Sequence, residues 1–234
     1  YEIGSGLVGS EMCIRDSVDR GLHAGDMKYL DLDGNNKIEQ TVSANDIKDQ
    51  RIIGNSLPRY TYSIRLNAEW NGIDFSVFFQ GVGKQDWYPS SDAFAFWGPY
   101  SSPAPSFIPK DFLADVWSVD NPDAYFPRPR GYIAWTDGRS LSSVNNRYLQ
   151  SLAYCRLKNL TVGYTLPVKW LSKIHVQKAR LYFSGENLLT LDRLDTDYID
   201  PEAAAAGTNW KTGKTNALSY PFSKTYSFGI DITF

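Results

Sequence analysis

The final ten residues, Thr225-Tyr-Ser-Phe-Gly-Ile-Asp-Ile-Thr-Phe234, restrict the fold more than any other stretch of the chain. Tyr226, Phe228, Ile230, Ile232 and Phe234 are apolar, and Ser227, Gly229, Asp231 and Thr233 between them are small or polar. Successive side chains of a strand point to opposite faces, so this segment has one apolar face and one polar face. Two folds accept such a strand. A soluble sandwich buries the apolar face in its core, and an outer-membrane barrel turns it to lipid with the polar face to the lumen.

Further strands repeat the pattern. In Arg59–Trp70, Tyr60, Tyr62, Ile64, Leu66, Ala68 and Trp70 alternate with Thr61, Ser63, Arg65, Asn67 and Glu69. Asn71-Gly72 is the signature of a type I′ hairpin turn, and Ile73–Gln80 returns with Ile73, Phe75, Val77 and Phe79 on one face. Alternation resumes at Tyr154–Leu166, where Leu157 is out of phase with Leu160, so a β-bulge is expected near Lys158–Asn159. Pro167 ends that strand, Val168–Ile174 reads as a helical turn, and Gln177–Leu189 as a fourth strand. The polar residues Arg65, Glu69, Asp74, Arg156, Lys158, Arg180 and Glu186 fall together on the polar face.

Between the strands, loop length alternates. Asn71-Gly72 and Pro167–Val176 are short, whereas Gly81–Gln150 and Asp192–Ser223 are long. Short turns at one end and long loops at the other are the habit of an outer-membrane barrel, and a sandwich has no reason to sort them so. The longer loop is dense in aromatics, which argues for an ordered, functional segment; Lys110–Trp117 within it reads as a short helix. Aromatic residues make up 15% of the chain. No apolar run is long enough for a transmembrane helix, and the formal charge of −2 with no basic block gives no case for nucleic acid.

Residues 1–17 read differently from the rest. Leu7 to Ser17 resembles translated transposase adapter, and Tyr1-Glu2-Ile3 the end of a sequencing primer in the same frame. The stretch has no basic start and no apolar centre, as a secretory signal would need. Fold reasoning therefore starts at Val18, with a longer protein expected upstream. Without Glu2, Glu11, Asp16 and Arg15 the formal charge becomes zero, and Cys155 is the sole remaining cysteine, so no disulfide framework is expected.

Words along the chain then resemble a known family in order. They are Gly25-Asp26-Met27-Lys28-Tyr29, Arg51-Ile52-Ile53-Gly54-Asn55, Pro58-Arg59-Tyr60-Thr61-Tyr62, Phe79-Gln80-Gly81, and Trp117 with Asn121-Pro122-Asp123-Ala124 and Pro127-Arg128. Arg156-Leu157-Lys158-Asn159-Leu160, Gly163-Tyr164-Thr165-Leu166-Pro167, Arg180 through Leu188, and Tyr220-Pro221 with the terminal Phe234 complete the set. Together they resemble the carboxy-terminal barrel segment of the SusC/RagA family of TonB-linked outer-membrane receptors. The resemblance implies an all-β, antiparallel meander of about five strands from a 22-stranded barrel with a separate plug. It also implies import of glycan or peptide fragments driven through TonB, and a SusD-type surface lipoprotein as a lid. On the same footing, Tyr226, Phe228, Ile230, Ile232 and Phe234 become a lipid-facing stripe that resembles the signal read by the barrel-assembly machinery. A passive porin or adhesin barrel and a soluble carbohydrate-binding sandwich are the alternatives.

Two constellations carry candidate chemistry. Asp31, Asp33 and Asn35 supply oxygen at the first, third and fifth places of a calcium-type loop, followed by Lys37 and Glu39. Asn36 takes the place of the sharp-turn glycine, and Val42 stands at the twelfth place where glutamate is expected, so Asp46 or Asp49 would have to substitute. The other reading is an Asx-rich surface turn. Trp87, Tyr88, Phe96, Trp97 and Tyr100 form an aromatic cluster that could stack on sugar rings or meet a lid, or instead supply the core of a long loop. No enzyme is indicated: His23 and His175 are isolated, Cys155 has no base near it in sequence, and no phosphate loop or zinc spacing occurs.

Overall fold

The structure is a computed structural model that describes residues 2–6, 23–27, 29–39, 47–101, 108, 110–135, 141, 143–172, 175–196, 199–207, 214–215, 217 and 220–234. In chain order its elements are β1 (Glu2–Gly6), β2 (Arg51–Asn55), β3 (Tyr60–Trp70), β4 (Ile73–Lys84), β5 (Asp86–Pro89) and α1 (Phe94–Trp97). After these come β6 (Gln150–Thr165), α2 (Val168–Leu171), β7 (Lys178–Arg193), α3 (Pro201–Gly207), β8 (Lys214–Thr215) and β9 (Thr225–Thr233). Short 3-10 turns lie at Gly98–Tyr100, Phe112–Asp115 and Gly131–Trp135. The second replaces the expected helix, because Val116 is already extended and bridges to Phe126. No helix among the described residues is long and apolar enough to cross a membrane.

Two units divide the chain, one of Pro58–Lys84, Ala153–Arg193 and Pro221–Phe234, the other of Tyr1–Leu57, Gln85–Leu152 and Leu194–Tyr220. The first is a sheet in the order β3-β4-β6-β7-β9. Its opening hairpin turns on Asn71 and Gly72, both at positive φ (49° and 83°), as a type I′ turn requires. From there β3 and β4 pair antiparallel from Trp70↔Ile73 to Tyr60↔Lys84, farther than Gln80, where alternation stops. Between β4 and β6 the register runs Phe78↔Asn159 and then Phe79↔Leu157, which leaves Lys158 as the inserted residue of the expected bulge. Strand β7 pairs with β6, the backbone N–H of Leu166 donating to Ala179 O and Thr161 Oγ1 meeting Ser184 Oγ, partners that run in opposite directions along the two strands. β9 closes the set antiparallel on β7, with Phe183↔Phe228 and Leu181↔Ile230 opposite one another.

One contact in this sheet skips a strand. Arg180 on β7 donates from Nε to Asp74 Oδ1 (2.8 Å) and from Nη2 to Asp74 Oδ2 (2.6 Å) on β4, and its Nη1 reaches Asp231 on β9 at 3.2 Å. The guanidinium passes over β6 at Gly163, where an added Cβ would stand 2.6 Å from Nε and from Nη2. The fork geometry of arginine on a carboxylate is what makes this two-point contact directional. Gly163→Ala is therefore expected to destabilise by about 1 kcal/mol through loss of the ion pair. Arg180→Ala should cost a similar amount, and the two substitutions together no more than either alone. A double-mutant cycle by urea unfolding of the full receptor reads this directly; additive losses would show that the glycine and the arginine act separately.

In the second unit the order comes from side chains more than from ladders. β5 pairs antiparallel with the start of β6 (Asp86↔Ser151, Trp87↔Gln150) and parallel with β8. Trp87, Tyr88, Phe96, Trp97, Tyr100, Phe126 and Tyr148 form an aromatic core, with Phe96 edge-on to Trp97 (4.8 Å), Trp97 to Trp135 (4.9 Å), and Phe112 stacked on Phe126 (4.6 Å). Such pairs contribute beyond the area they bury. Residues Glu2–Gly6 pair with Arg51–Asn55 through two register shifts; residue 1 and residues 7–17, the rest of the adapter-like stretch, lie outside the described residues.

Candidate functional site

The sheet offers two unlike faces. On one, Leu66↔Val77↔Leu160, Ala68↔Phe75↔Val162 and Trp70↔Ile73↔Tyr164 stand in rows across β3, β4 and β6. β7 and β9 continue the surface with Ala179, Leu181, Phe183, Phe228, Ile230 and Ile232. Leu66, Trp70, Phe228 and Ile230 are 56–82% exposed, an apolar sheet surface that water does not tolerate. Its rows begin at Tyr60 and Tyr62 and finish at Trp70 and Tyr164. The eight-residue step from Tyr62 to Trp70 spans roughly 27 Å at a rise of about 3.4 Å per residue. Allowing for strand tilt, that approaches the ~25 Å apolar band between aromatic girdles in an outer-membrane barrel.

The opposite face is polar. Ser76 Oγ donates to Asn67 Oδ1 at 2.8 Å, and Thr161 bridges Asn159 and Ser184. The Asp74–Arg180–Asp231 set lies near the Asn71-Gly72 turn. Toward the other end are Arg156, Lys158 and Arg65, with Arg156 Nε donating to Thr190 Oγ1 at 2.9 Å. Every charged residue assigned to the polar face from the sequence pattern falls on it, and the pairing of Arg180 with Asp74 was not legible because the partners are 106 residues apart.

The aromatic cluster is placed otherwise than as a contact surface. Trp87, Tyr88, Trp97 and Tyr100 are fully buried and Phe96 nearly so. Trp97 Nε1 donates to Ser90 O (2.9 Å), Asn145 Nδ2 to the Tyr88 hydroxyl (3.1 Å), and the Tyr100 hydroxyl to Pro127 O. The reading of these five as rings for sugar or lid is corrected: they are the core of the loop unit, drawn in because a long segment without ladders needs its own apolar interior. Asp26 is buried beside them, held by Arg130 and by the His23 N–H. Gln150 and Tyr125 both donate to Asp195 Oδ2, which fastens the second long loop to the first. Asp26 and Asp195 had no periodic signal that could single them out.

Burial has a titration consequence. Loss of hydration pushes the Tyr88, Tyr125, Tyr148 and Tyr100 phenols well above the usual value of 10, with Asp195 adding to the shift at Tyr125 and Asp26 at Tyr100. The neutral phenol is the protonated form, so the folded unit keeps protons that the unfolded chain releases near pH 10. The stabilisation is complete below that pH and declines as pH rises above it. Tyrosinate absorbance is expected to lag in the native protein and then to rise together with unfolding. A smooth titration of all tyrosines around pH 10 in the folded protein would contradict this burial.

In the Asp-rich turn, carboxylate oxygens of Asp31, Asp33 and Asp49 lie within 4.8 Å of one another. Asp31 accepts the N–H groups of Gly34 (2.7 Å) and Asn36 (2.6 Å), and Asp49 those of Leu32 and Glu39 (both 2.7 Å). Desolvation raises the Asp31 carboxyl, but the amides of Gly34 and Asn36 outweigh it and hold the group below the usual carboxylate value. Asn36 has φ 61°, the left-handed conformation expected at the sharp turn. Of the three carboxylates in the set of five, Asp31 and Asp33 lie with Asp49, and Glu39 turns to Asn35 Nδ2 and Lys48. Asn35 Oδ1 accepts the Lys37 N–H, and Lys37, at the seventh place of such a loop, would offer its backbone carbonyl.

No family model matches the chain. It is 32% identical over 212 residues to TonB-dependent receptor P3 of Formosa agariphila, covering 88% of this chain and 19% of that protein. It is 27% identical to TonB-dependent receptor P26 of the same organism, covering 90% of this chain and 20% of the relative. The chain thus spans about a fifth of the length of the curated relatives it matches. Among solved structures it is similar to the RagAB peptide transporter, with a TM-score of 0.63 and 20% identity over all of this chain and 22% of that one. The RagAB importer in its closed-closed state gives a TM-score of 0.58 at 22% identity, covering 94% of this chain and 22% of that chain.

Proposed function

Since the chain belongs to the TonB-dependent receptors, as a segment about a fifth of their length, we propose that it is carboxy-terminal barrel wall in a receptor that imports nutrients actively across the outer membrane. The observation that carries this reading is the two-faced sheet: an exposed apolar surface between aromatic ends, and behind it a polar wall of paired charges. Water opposes the first and lipid the second, and a barrel wall is the setting that satisfies both. Five strands belong to a larger ring, proposed as 22-stranded with a plug supplied by the remainder of the receptor, through which TonB would act. The relatives are receptors, which agrees with a binding and transport role rather than an enzymatic one.

The imported molecule is proposed to be a glycan or peptide fragment. A SusD-type surface lipoprotein is proposed as the partner of the long-loop unit, whose aromatic core would keep that surface rigid. The stripe Tyr226, Phe228, Ile230, Ile232 and Phe234 on β9 is proposed as the mark read by the assembly machinery. The native part of the chain is taken as residues 18–234. The test is uptake: cells carrying the complete receptor should accumulate labelled oligosaccharide or peptide only when TonB is present. Uptake indifferent to TonB would favour the passive porin instead, and recovery of the receptor in the aqueous fraction would favour the soluble sandwich.

The Asp-rich turn is proposed to hold calcium, supported by the convergence of Asp31 and Asp33 with Asp49 and by the left-handed Asn36. Free calcium at about a hundred times its Kd would stabilise the receptor by about 2.7 kcal/mol. The expected result is a rise in the Tm of the full receptor that chelator reverses and Asp49→Asn abolishes. No change in Tm with calcium removes the site and leaves an Asx-rich turn.

A further inference from the structure

At the long-loop end of the sheet the β3–β4 ladder carries a second bulge. Tyr60 pairs with Lys84 and Thr61 with Val82, so Gly83 is the inserted residue. Without it Lys84 would follow Gln80 and Val82 onto the polar face. With it Lys84 stands opposite Tyr60 and shares the outward, apolar face. Glycine suits the place, since a Cβ there would stand 3.3 Å from the Tyr60 Cβ. Arg59 precedes the first residue of β3, and its backbone N–H donates to Lys84 O at 2.8 Å. Its guanidinium lies 5.5 Å from the centre of the Tyr60 ring, which draws it toward the same face. Arg59, Tyr60 and Lys84 are all exposed. No Asp or Glu occurs in residues 58–68, 75–84 or 153–165, the stretches of β3, β4 and β6 nearest this end. Asp86, next along the chain, accepts the Asn55 N–H at 2.9 Å. Among the described residues no acid forms an ion pair with Arg59 or Lys84.

Depth sets what such a pair of cations meets. The six-residue step from Leu66, at the centre of the apolar band, to Tyr60 covers about 20 Å of strand, or roughly 15 Å of depth at a barrel tilt of about 40°. Half of a hydrocarbon core ~30 Å thick is also ~15 Å, so Tyr60 falls at its boundary. Amphipathic rings settle at that level, and long basic side chains reach past it to the head groups. We propose that Arg59, Lys84 and the Tyr60 hydroxyl form a binding site for the phosphate of a lipid in the outer leaflet. The guanidinium offers two parallel N–H groups to two phosphate oxygens, and the ammonium and the phenol add donors beside them. The Tyr60 ring holds the guanidinium on the outward face and packs on the first carbons of the lipid. Its neighbour Tyr62 extends that apolar surface, its own hydroxyl being spent on Tyr154 O at 3.1 Å. This rests on the barrel-wall reading given above. A phosphorylated glycolipid and an anionic phospholipid present the same group.

The experiment uses the complete receptor in uncharged maltoside micelles, with the R59Q/K84Q double variant beside it. Calorimetric titration is made with diphosphoryl lipid A, with phosphatidylglycerol, with the neutral digalactosyl diacylglycerol and with inorganic phosphate. A phosphorylated lipid should bind, with affinity falling as salt rises, and the one that binds more tightly identifies the source of the phosphate. In the double variant its Kd should increase by tenfold or more, as loss of charged hydrogen bonds implies, and the salt dependence should flatten. R65Q, which removes a cation from the polar face, is the control and should leave the Kd unchanged. Heat-modifiable gel mobility reports whether the double variant folds; if it does not, R59Q and K84Q singly should each raise the Kd severalfold. Failure of both phosphorylated lipids to bind, equal binding of the neutral lipid, or an unchanged Kd in the variants overturns the site. So does a loss matched by R65Q. Inorganic phosphate binding as tightly as the lipid would make this a free-anion site and overturn the lipid assignment. The barrel reading is scored separately: a wild-type receptor recovered without detergent removes that reading, whereas one that needs detergent yet binds no phosphorylated lipid removes the site alone.

Discussion

Leu66→Arg should destabilise the assembled receptor by about 2–4 kcal/mol, the cost of a guanidinium at mid-depth on the lipid face of a barrel. Leu66 is the third of five outward positions between Tyr62 and Trp70, so it falls at the centre of the apolar band, and it is 56% exposed with Val77 opposite. Asn67, the next residue, faces the other way and accepts a hydrogen bond from Ser76. Asn67→Arg should therefore fall within about 0.5 kcal/mol of wild type. Urea unfolding of the receptor in lipid vesicles, followed by tryptophan fluorescence, separates the two. Equal losses at both positions would sink the assignment of the apolar face to lipid.

Trp97→Ala has the larger expected effect, about 3–5 kcal/mol, and on a different part of the chain. Trp97 is fully buried, its ring centre 4.8 Å from Phe96, 4.9 Å from Trp135 and 5.0 Å from Tyr148. Truncation removes those contacts, opens a cavity and takes away one of the two donors to the carbonyl of Ser90, the other being the Ala93 N–H. Set against a typical domain stability of roughly 5–15 kcal/mol, that is enough to melt the long-loop unit. Since the sheet has its own register and contacts, the expected pattern is rapid proteolysis within residues 85–152 while the barrel keeps its gel mobility. Leu113→Ala, at an exposed position in the same segment, is the matched control and should leave proteolysis unchanged. Resistance of Trp97→Ala to protease would mean that the ring cluster does not hold this unit together.

How much of this was legible in the sequence follows from the range of the forces involved. Alternation is local, so the hairpin at Asn71-Gly72, the three later strand regions and the bulge at Lys158 could all be read from neighbours in the chain. The ends of β4 and β7 ran past the alternating stretches because backbone pairing continues where side-chain pattern lapses, as at Gly81 and Gly83. The loop unit was not legible in the same way. Trp87, Trp97 and Tyr148 acquire a core only when segments some fifty residues apart collapse together, and no period records that event. The same holds for the turn, where Asp31 and Asp33 were visible as a motif but the approach of Asp49, left open against Asp46, depended on the path between them.

The arginine that reaches over Gly163 bears on how the strands find their alignment during assembly. A slip of β6 by one residue would expose its polar side chains to lipid and is excluded by the two-faced pattern alone. A slip by two residues would keep both faces correct, and hydrophobicity could not detect it. It would, however, bring Thr161 or Thr165 under the Arg180 guanidinium in place of Gly163, and the side chain would bar the path to Asp74. Asp74 and Arg180 can meet across the intervening strand only in the native alignment. A single missing side chain thus proofreads a class of error to which the rest of the wall is blind.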